Sequence, residues 1–240
     1  MRQDIHSVGI PVLCLSCEAR HKGVCGALSP EQLVDLSKHA VKHTVERGQE
    51  VVGDAEAVTT YSNILTGVAK LSKTMTDGRQ QIVGLQFAPD FLGRPYDAES
   101  RLNVEAATDL KLCSFPKSAF DRMMEQAQGL EKRIFQQTLR ELDEARAWML
   151  TLGRKTAHEK VASFLVMIAR NVDPARASDA PVAFDLPLQR ADIADFLGLT
   201  IETVSRQMTK LAASGVVRVQ GRHVEVPNLG RLSALAGDQE

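Results

Sequence analysis

Ala191-Asp192-Ile193-Ala194-Asp195-Phe196-Leu197-Gly198-Leu199-Thr200-Ile201-Glu202-Thr203-Val204-Ser205-Arg206 reads as two short helices joined by a tight turn. From Gln189 to Leu197, the apolar residues Ile193, Ala194 and Leu197 share one face. Gly198 breaks that helix, Leu199 packs inward, and Thr200 caps a second helix predicted from Ile201 to Ser214. Val204, Met208 and Leu211 recur at i, i+4 and i+7, which is a buried stripe. Glu202, Ser205, Arg206 and Thr209 then fall on the opposite, exposed side of the first turns.

A helix entering the major groove of a duplex presents such N-terminal positions to base edges. Arginine grips guanine O6 and N7 with two donors, and a carboxylate accepts from cytosine N4. Gly215 ends the second helix. Val216 to Val226 reads as a hairpin, a wing carrying Arg218 and Arg222 toward phosphates. Each feature also has an ordinary explanation: Glu202 near a helix start suits the macrodipole, and Glu202 with Arg206 forms an i,i+4 pair. The combination of turn, exposed polar set and basic wing favours DNA.

Upstream, Lys117 to about Leu152 holds no proline and only Gly129, which predicts one long helix. Phe135, Leu142 and Met149 repeat at seven, and Thr138, Ala145 and Leu152 do so three places later. That is an a/d seam suited to dimerisation, with Arg140, Glu141, Glu144 and Arg146 beside it. The competing reading is a helix packed on its own barrel. Glu141 and Glu144 are candidates for like-charge repulsion across a dimer axis.

Between Thr44 and Cys113, short apolar segments alternate with turn signals about every ten residues, indicating a small antiparallel barrel or sandwich. Asp77-Gly78 is its clearest hairpin. Ser29-Pro30-Glu31-Gln32 opens a preceding helix with a capping box, and that helix is predicted to reach about Val41. A loop is predicted from Asp173-Pro174 to Ala180-Pro181.

The 240 residues carry a net charge of −1, with 44% hydrophobic and 25% charged, so any case for nucleic acid is local. Residues 154–223 supply it, with ten Lys/Arg against seven Asp/Glu, a net +3. No apolar run approaches the ~20 residues that span a bilayer. Met1 to His6 has no signal-peptide core, so a cytoplasmic protein is expected. No nucleophile–base constellation or glycine-rich phosphate loop appears, which argues against an enzyme.

Cysteine is the unusual feature. Cys14, Cys17 and Cys25 cluster near the N-terminus, and Cys113 stands alone. In a reducing compartment such a set suggests metal or redox chemistry more than a structural disulfide. Cys113 by itself is equally explained as a buried apolar residue.

The whole arrangement resembles the Crp/Fnr family of bacterial transcription regulators over nearly the full chain, most specifically in Ala191 to Arg206. The resemblance implies an α+β fold. A β-roll sensor domain of the cupin-like, cyclic-nucleotide-binding type would occupy 29–116, after a cysteine-rich segment at 1–28. A dimerisation helix would span 117–153 and a winged helix-turn-helix 154–240. The Glu-x-x-Ser-Arg set resembles the Fnr branch, which reads an inverted repeat of TTGAT half-sites. It implies base contacts from Glu202, Ser205 and Arg206, and backbone contacts from Thr203, Thr209, Arg218 and Arg222. A homodimer would meet through Phe135, Leu142, Ala145, Met149 and Leu152, and RNA polymerase would be a partner.

Relatives that bind cyclic AMP carry a Gly-Glu and an Arg-Ser/Thr pair; Phe91-Leu92-Gly93-Arg94-Pro95-Tyr96 and Arg101-Leu102-Asn103 lack them. No cyclic nucleotide is expected. The cysteines are similar to those of oxygen-sensing Fnr proteins of the rhizobial FnrN type, implying a [4Fe–4S] cluster on Cys14, Cys17, Cys25 and Cys113. That would give an activator that binds DNA when oxygen is low. A zinc site on the same thiols or a thiol-redox switch stands as the alternative; His21 could replace one cysteine but reads better as a solvated loop histidine. An iron–sulfur electron carrier or enzyme ranks below both. Val24, beside Cys25, is placed to limit access of oxygen or water to such a site.

Overall fold

The computed structural model describes residues 9–172 and 180–237. The residues 173–179 of the expected loop and the N-terminal hexapeptide lie outside them. The described residues fall into two compact units, one drawn from 1–73 with 83–142 and one from 74–82 with 143–240.

The first unit opens with a 3₁₀ turn at Val12–Cys14, helix α1 (Glu18–His21) and a second 3₁₀ turn at Val24–Ala27. Helix α2 (Pro30–Ser37) follows, with its capping box formed: the Ser29 N–H donates to Gln32 Oε1 at 2.9 Å, and the Gln32 N–H donates to Ser29 Oγ at 3.3 Å. It stops short of Val41. That residue opens β1 (Val41–Val45), where β-branched side chains pair with β8 (Leu110–Pro116), Val41 facing Ser114.

Strands β2 (Glu50–Val52), β3 (Thr60–Thr66), β4 (Val68–Thr74), β5 (Gln80–Phe87), β6 (Phe91–Leu92) and β7 (Asn103–Ala106) complete two four-stranded sheets, ordered β1-β8-β3-β6 and β2-β7-β4-β5. The pairings of β8 with β1 and β3, and of β7 with β2 and β4, are antiparallel. Asp77-Gly78 turns the β4–β5 hairpin as expected, with Gly78 at φ +86°. Ile64, Leu110 and Leu112 of one sheet pack in a single cluster with Ala69, Val104 and Ala106 of the other, so the domain is a sandwich.

A second cluster lies at one end. Phe91, Phe115 and Phe120 stack and Tyr61 meets Phe91 and Phe120 tilted or edge-on, with ring centroids 4.9–6.3 Å apart, together with Leu33, Leu36, Val24 and Leu28. Val24 and Leu28 flank the turn that carries Cys25. Each fully buried side chain of this kind contributes about 1.5–3 kcal/mol, so the cysteine segment is part of the core.

The predicted single helix over 117–153 is two. Helix α3 (Lys117–Gln126) buries Ala119, Phe120, Met123 and Met124, and the chain leaves helical geometry at Ala127 (φ −123°, ψ 86°). Helix α4 (Gln128–Arg154) then begins. Neither proline nor glycine causes the break. Ala127 and Leu130 are themselves buried in the aromatic cluster, and tertiary packing overrides helix propensity there.

In the second unit, helices α5 (Ala157–Val172), α6 (Arg190–Leu197), α7 (Ile201–Ala213) and α8 (Leu229–Ala236) surround a core of Phe164, Leu165, Ile193, Leu197, Val204 and Leu211. Trp148 meets the Phe196 ring at 4.5 Å. Strands β10 (Arg218–Gln220) and β11 (His223–Val226) form the expected hairpin. A third strand absent from the sequence reading, β9 (Val182–Asp185), pairs with β11 and makes a sheet ordered β10-β11-β9. No helix among the described residues is long and apolar enough to cross a membrane.

Candidate functional sites: a thiol group and a nucleic-acid interface

The four cysteines come from three places in the first unit. Cys14 closes the first 3₁₀ turn, Cys17 is the N-cap of α1, Cys25 sits in the second 3₁₀ turn, and Cys113 lies on β8. All four are free thiols and half-buried. Burial pushes the Cys25 thiol up to about 12, with further upward pressure from Cys113, Cys17 and Cys14. Burial likewise raises Cys113 to about 11, with Cys17 and Cys14 adding to it. Cys14 is raised by burial and by Cys17, while Lys42 and Arg20 act the other way.

Sequence reading missed two neighbours of that group. Lys42 of β1 faces Cys113 across the strand pair, and its charge favours the Cys113 and Cys14 thiolates. Asn63 of β3 faces Cys113 on the other side, and its Nδ2 donates to Cys25 Sγ at 3.3 Å. The available signal was a strand-disfavoured asparagine directly before the apolar pair Ile64-Leu65.

The four-cysteine set has the chemistry of a metal-binding group. It is all sulfur, carries an N–H···S donor and lies beside a lysine, which suits an iron–sulfur group bound through thiolates. Among the described residues, no three His, Cys, Asp or Glu side chains converge on one metal-ion position. His21 is exposed. Val24 is 2% exposed and lies in the aromatic core, so it anchors the cysteine turn.

Backbone contacts run from this segment toward α4. Gly23 approaches the Pro89 carbonyl, and Gly129 in the first turn of α4 abuts the Ala27 carbonyl. Past Pro89, Gln137 Nε2 donates to the Phe91 carbonyl at 3.2 Å and to Glu141 Oε1 at 2.7 Å. Gln86 Nε2 donates to the same Glu141 oxygen at 3.2 Å. The Glu141 carboxylate expected at a dimer axis is therefore engaged with β5 and Gln137.

A cavity of about 970 Å³ in the same unit is lined in part by Phe91 to Asp97 and by Phe135, Thr138 and Leu142 of α4. Its Arg94 and the neighbouring Arg101 both pair with Asp97, at 3.0 and 3.6 Å. Along α4, Phe135 is 61% and Met149 73% exposed; Leu139, Leu142 and Leu150 are exposed too, as is Ala145, while Leu152 is half-buried. Leu139 and Leu150 widen the apolar row expected from the heptads.

In the second unit, Gly198 adopts φ +60° and ends α6, and Thr200 Oγ1 accepts the Thr203 N–H at 3.2 Å to start α7. Val204, Met208 and Leu211 are buried; Glu202, Ser205, Arg206 and Thr209 are exposed together on the other face. First-turn backbone N–H and the Thr200 hydroxyl hold the Glu202 carboxyl below its ordinary value. Arg206 reaches Thr203 Oγ1 at 3.4 Å instead of pairing with Glu202. On the wing, Arg222 is exposed and is also tied to its own domain. Its Nε and Nη2 donate to the Leu186 carbonyl at 3.1 and 2.7 Å, which ties the hairpin to the residue that follows β9. Arg218 pairs with Glu225 at 3.3 Å and stays exposed.

The Crp-like helix-turn-helix domain family matches residues 159–235, and the cyclic nucleotide-binding domain family matches residues 42–127. The chain is 54% identical to a probable transcriptional activator of Rhizobium leguminosarum bv. viciae over 98% of this chain and 97% of that one. It is 44% identical to the transcriptional activator protein FnrL of Cereibacter sphaeroides over 94% and 92%. Among solved structures, FixK2 from Bradyrhizobium japonicum superposes with a TM-score of 0.75 at 30% identity, covering 84% of this chain and 99% of that one.

Proposed function

The chain belongs to the Crp/Fnr family of transcription regulators, a DNA-binding activator and not an enzyme, and we propose that low oxygen is the signal it reports. The observation that carries this is a set of free thiols contributed by a core-docked N-terminal segment and strand β8, with Asn63 Nδ2 donating to Cys25 Sγ between them. Cys14, Cys17, Cys25 and Cys113 would hold a [4Fe–4S] cluster, as the rhizobial FnrN-type resemblance implies. When bound, such a group supplies iron–thiolate links that oxygen destroys, so its presence records low oxygen.

The chain's own residues explain how that state would reach DNA. Ligation from both the segment and β8 fixes the turn at Cys25, whose neighbours Val24 and Leu28 are already seated in the core. Ala27 bears on Gly129 at the root of α4, and Gly23 bears on Pro89, two residues before the Phe91 carbonyl that Gln137 holds. A displaced segment therefore loosens α4 at its base. Through the apolar row from Phe135 to Leu152 the active protein pairs as a homodimer, setting two α7 helices roughly 34 Å apart along the duplex. Glu202, Ser205 and Arg206 would read the bases of TTGAT-type half-sites, with Thr203, Thr209 and Arg218 on the backbone. Activation requires contact with RNA polymerase, in the cytoplasm. A cyclic nucleotide is not the effector on this reading, because Phe91 to Tyr96 and Arg101 to Asn103 lack the Gly-Glu and Arg-Ser/Thr pairs.

An anaerobic absorption spectrum with iron and acid-labile sulfide assays, followed by oxygen addition, tests this reading. A visible band with about four irons per chain, lost with oxygen together with affinity for the inverted repeat, is expected. A colourless protein with about one zinc per chain would leave the DNA-binding activator and remove the oxygen sensor.

A further inference from the structure

Asn63 is 1% exposed in the middle of β3. It faces Cys113 on β8 and Phe91 on β6. Directly opposed residues of an antiparallel pair share a face, so its amide lies beside two of the four cysteines. Nδ2 donates to Cys25 Sγ at 3.3 Å, whereas Oδ1 is buried with no hydrogen-bond partner. An amide half unsatisfied in a core costs free energy, and asparagine is disfavoured in strands. Leucine would fill the position without either penalty. The hydrogen bond to sulfur is what asparagine adds.

We propose that Asn63 is a positioning residue that holds the Cys25 sulfur and withdraws charge from it, setting how readily a thiolate-bound iron–sulfur group is lost to oxygen. This rests on the iron–sulfur reading above. Hydrogen bonds to ligating sulfurs are among the determinants of reduction potential. A donor stabilises the more electron-rich state of the group, so its removal lowers the potential and makes oxidation easier.

The test uses the full chain assembled anaerobically, with Asn63→Leu and Asn63→Thr compared with wild type. Asn63→Leu is expected to lower the midpoint potential and to speed loss of the visible band in air by about three- to tenfold, the factor that one net hydrogen bond carries. Asn63→Thr, which keeps a donor at a strand position, is expected to fall between. The metal-free Leu variant is expected to melt no lower than metal-free wild type, because the orphaned oxygen is gone. Wild-type potential and decay in Asn63→Leu overturn the proposal, as does a metal-free Leu variant that melts well below wild type, which would mark a packing role. Wild-type protein without iron and sulfide overturns the underlying reading as well, and the iron count separates that failure from the first.

Discussion

Gly23 and Pro89 meet backbone to backbone: a Cβ placed on Gly23 would lie 2.9 Å from the Pro89 carbonyl oxygen, and equally 2.9 Å from that of Ala19. The Gly23 backbone, at φ −89° and ψ −164°, is open to any residue, so the constraint is contact and not strain. Gly23→Ala is expected to push the Cys25 turn off the Pro89 loop and to lower stability by about 1–3 kcal/mol, the usual cost of overpacking. A urea unfolding midpoint equal to wild type would show that the two segments do not bear on each other.

Arg206 and Glu202 are exposed on the first turns of α7, on the face opposite the buried Val204 and Met208. Arg206→Ala is expected to cost about 1–3 kcal/mol of specific binding while leaving affinity for scrambled duplex nearly unchanged. Fluorescence anisotropy at one fixed salt concentration decides. Equal losses on both duplexes would make Arg206 a phosphate contact.

The two wing arginines are expected to behave differently. Arg218→Ala should weaken all duplexes alike and reduce the salt slope by about 1. Arg222 is spent on the Leu186 carbonyl, so Arg222→Ala should lower the thermal midpoint through loss of about 1 kcal/mol or more of hydrogen bonding. A variant that melts like wild type but loses salt-dependent affinity would return Arg222 to the phosphates.

Met149 and Leu142 are exposed along one helix. Met149→Asp would set two carboxylates against each other in a dimer seam. The dimer dissociation constant, measured by sedimentation, is expected to rise at least tenfold, or about 1.4 kcal/mol. An unaltered dimer would place the interface elsewhere.

Glu159 accepts the Thr156 N–H at 2.7 Å and the Thr156 hydroxyl at 2.8 Å, and these bonds hold its carboxyl below the ordinary glutamate value. A depressed folded-state value contributes stability that is complete above the unfolded value and is lost as pH falls through the folded one. Glu159→Gln should therefore be less stable than wild type at neutral pH, and the gap should close in acid below the glutamate range. A gap of constant size across that window would exclude ionisation as its origin.

Local chemistry made much of this fold legible. Ser29 with Gln32, Asp77-Gly78, Gly198 with Thr200, and the Val204–Met208–Leu211 stripe each act within a few residues of chain, and each appears where the sequence put it. The exposed Glu202, Ser205 and Arg206 follow from the same helical period. The sequence also marked the cysteines by type and spacing.

Tertiary structure alone decided the rest, because the forces involved act between distant segments. Nothing local to Ala127 ends a helix; burial of Ala127 and Leu130 among aromatic side chains from three strands and α3 does. Arg222 looks like any basic wing residue until the Leu186 carbonyl is brought to it from 36 positions away. Asn63 gains its meaning from Cys25, 38 positions earlier, and from its register with Cys113. Periodicity and capping fixed the helix-turn-helix and the hairpins, whereas the sulfur environment came from strand register, which places side chains by pairing and not by proximity in sequence.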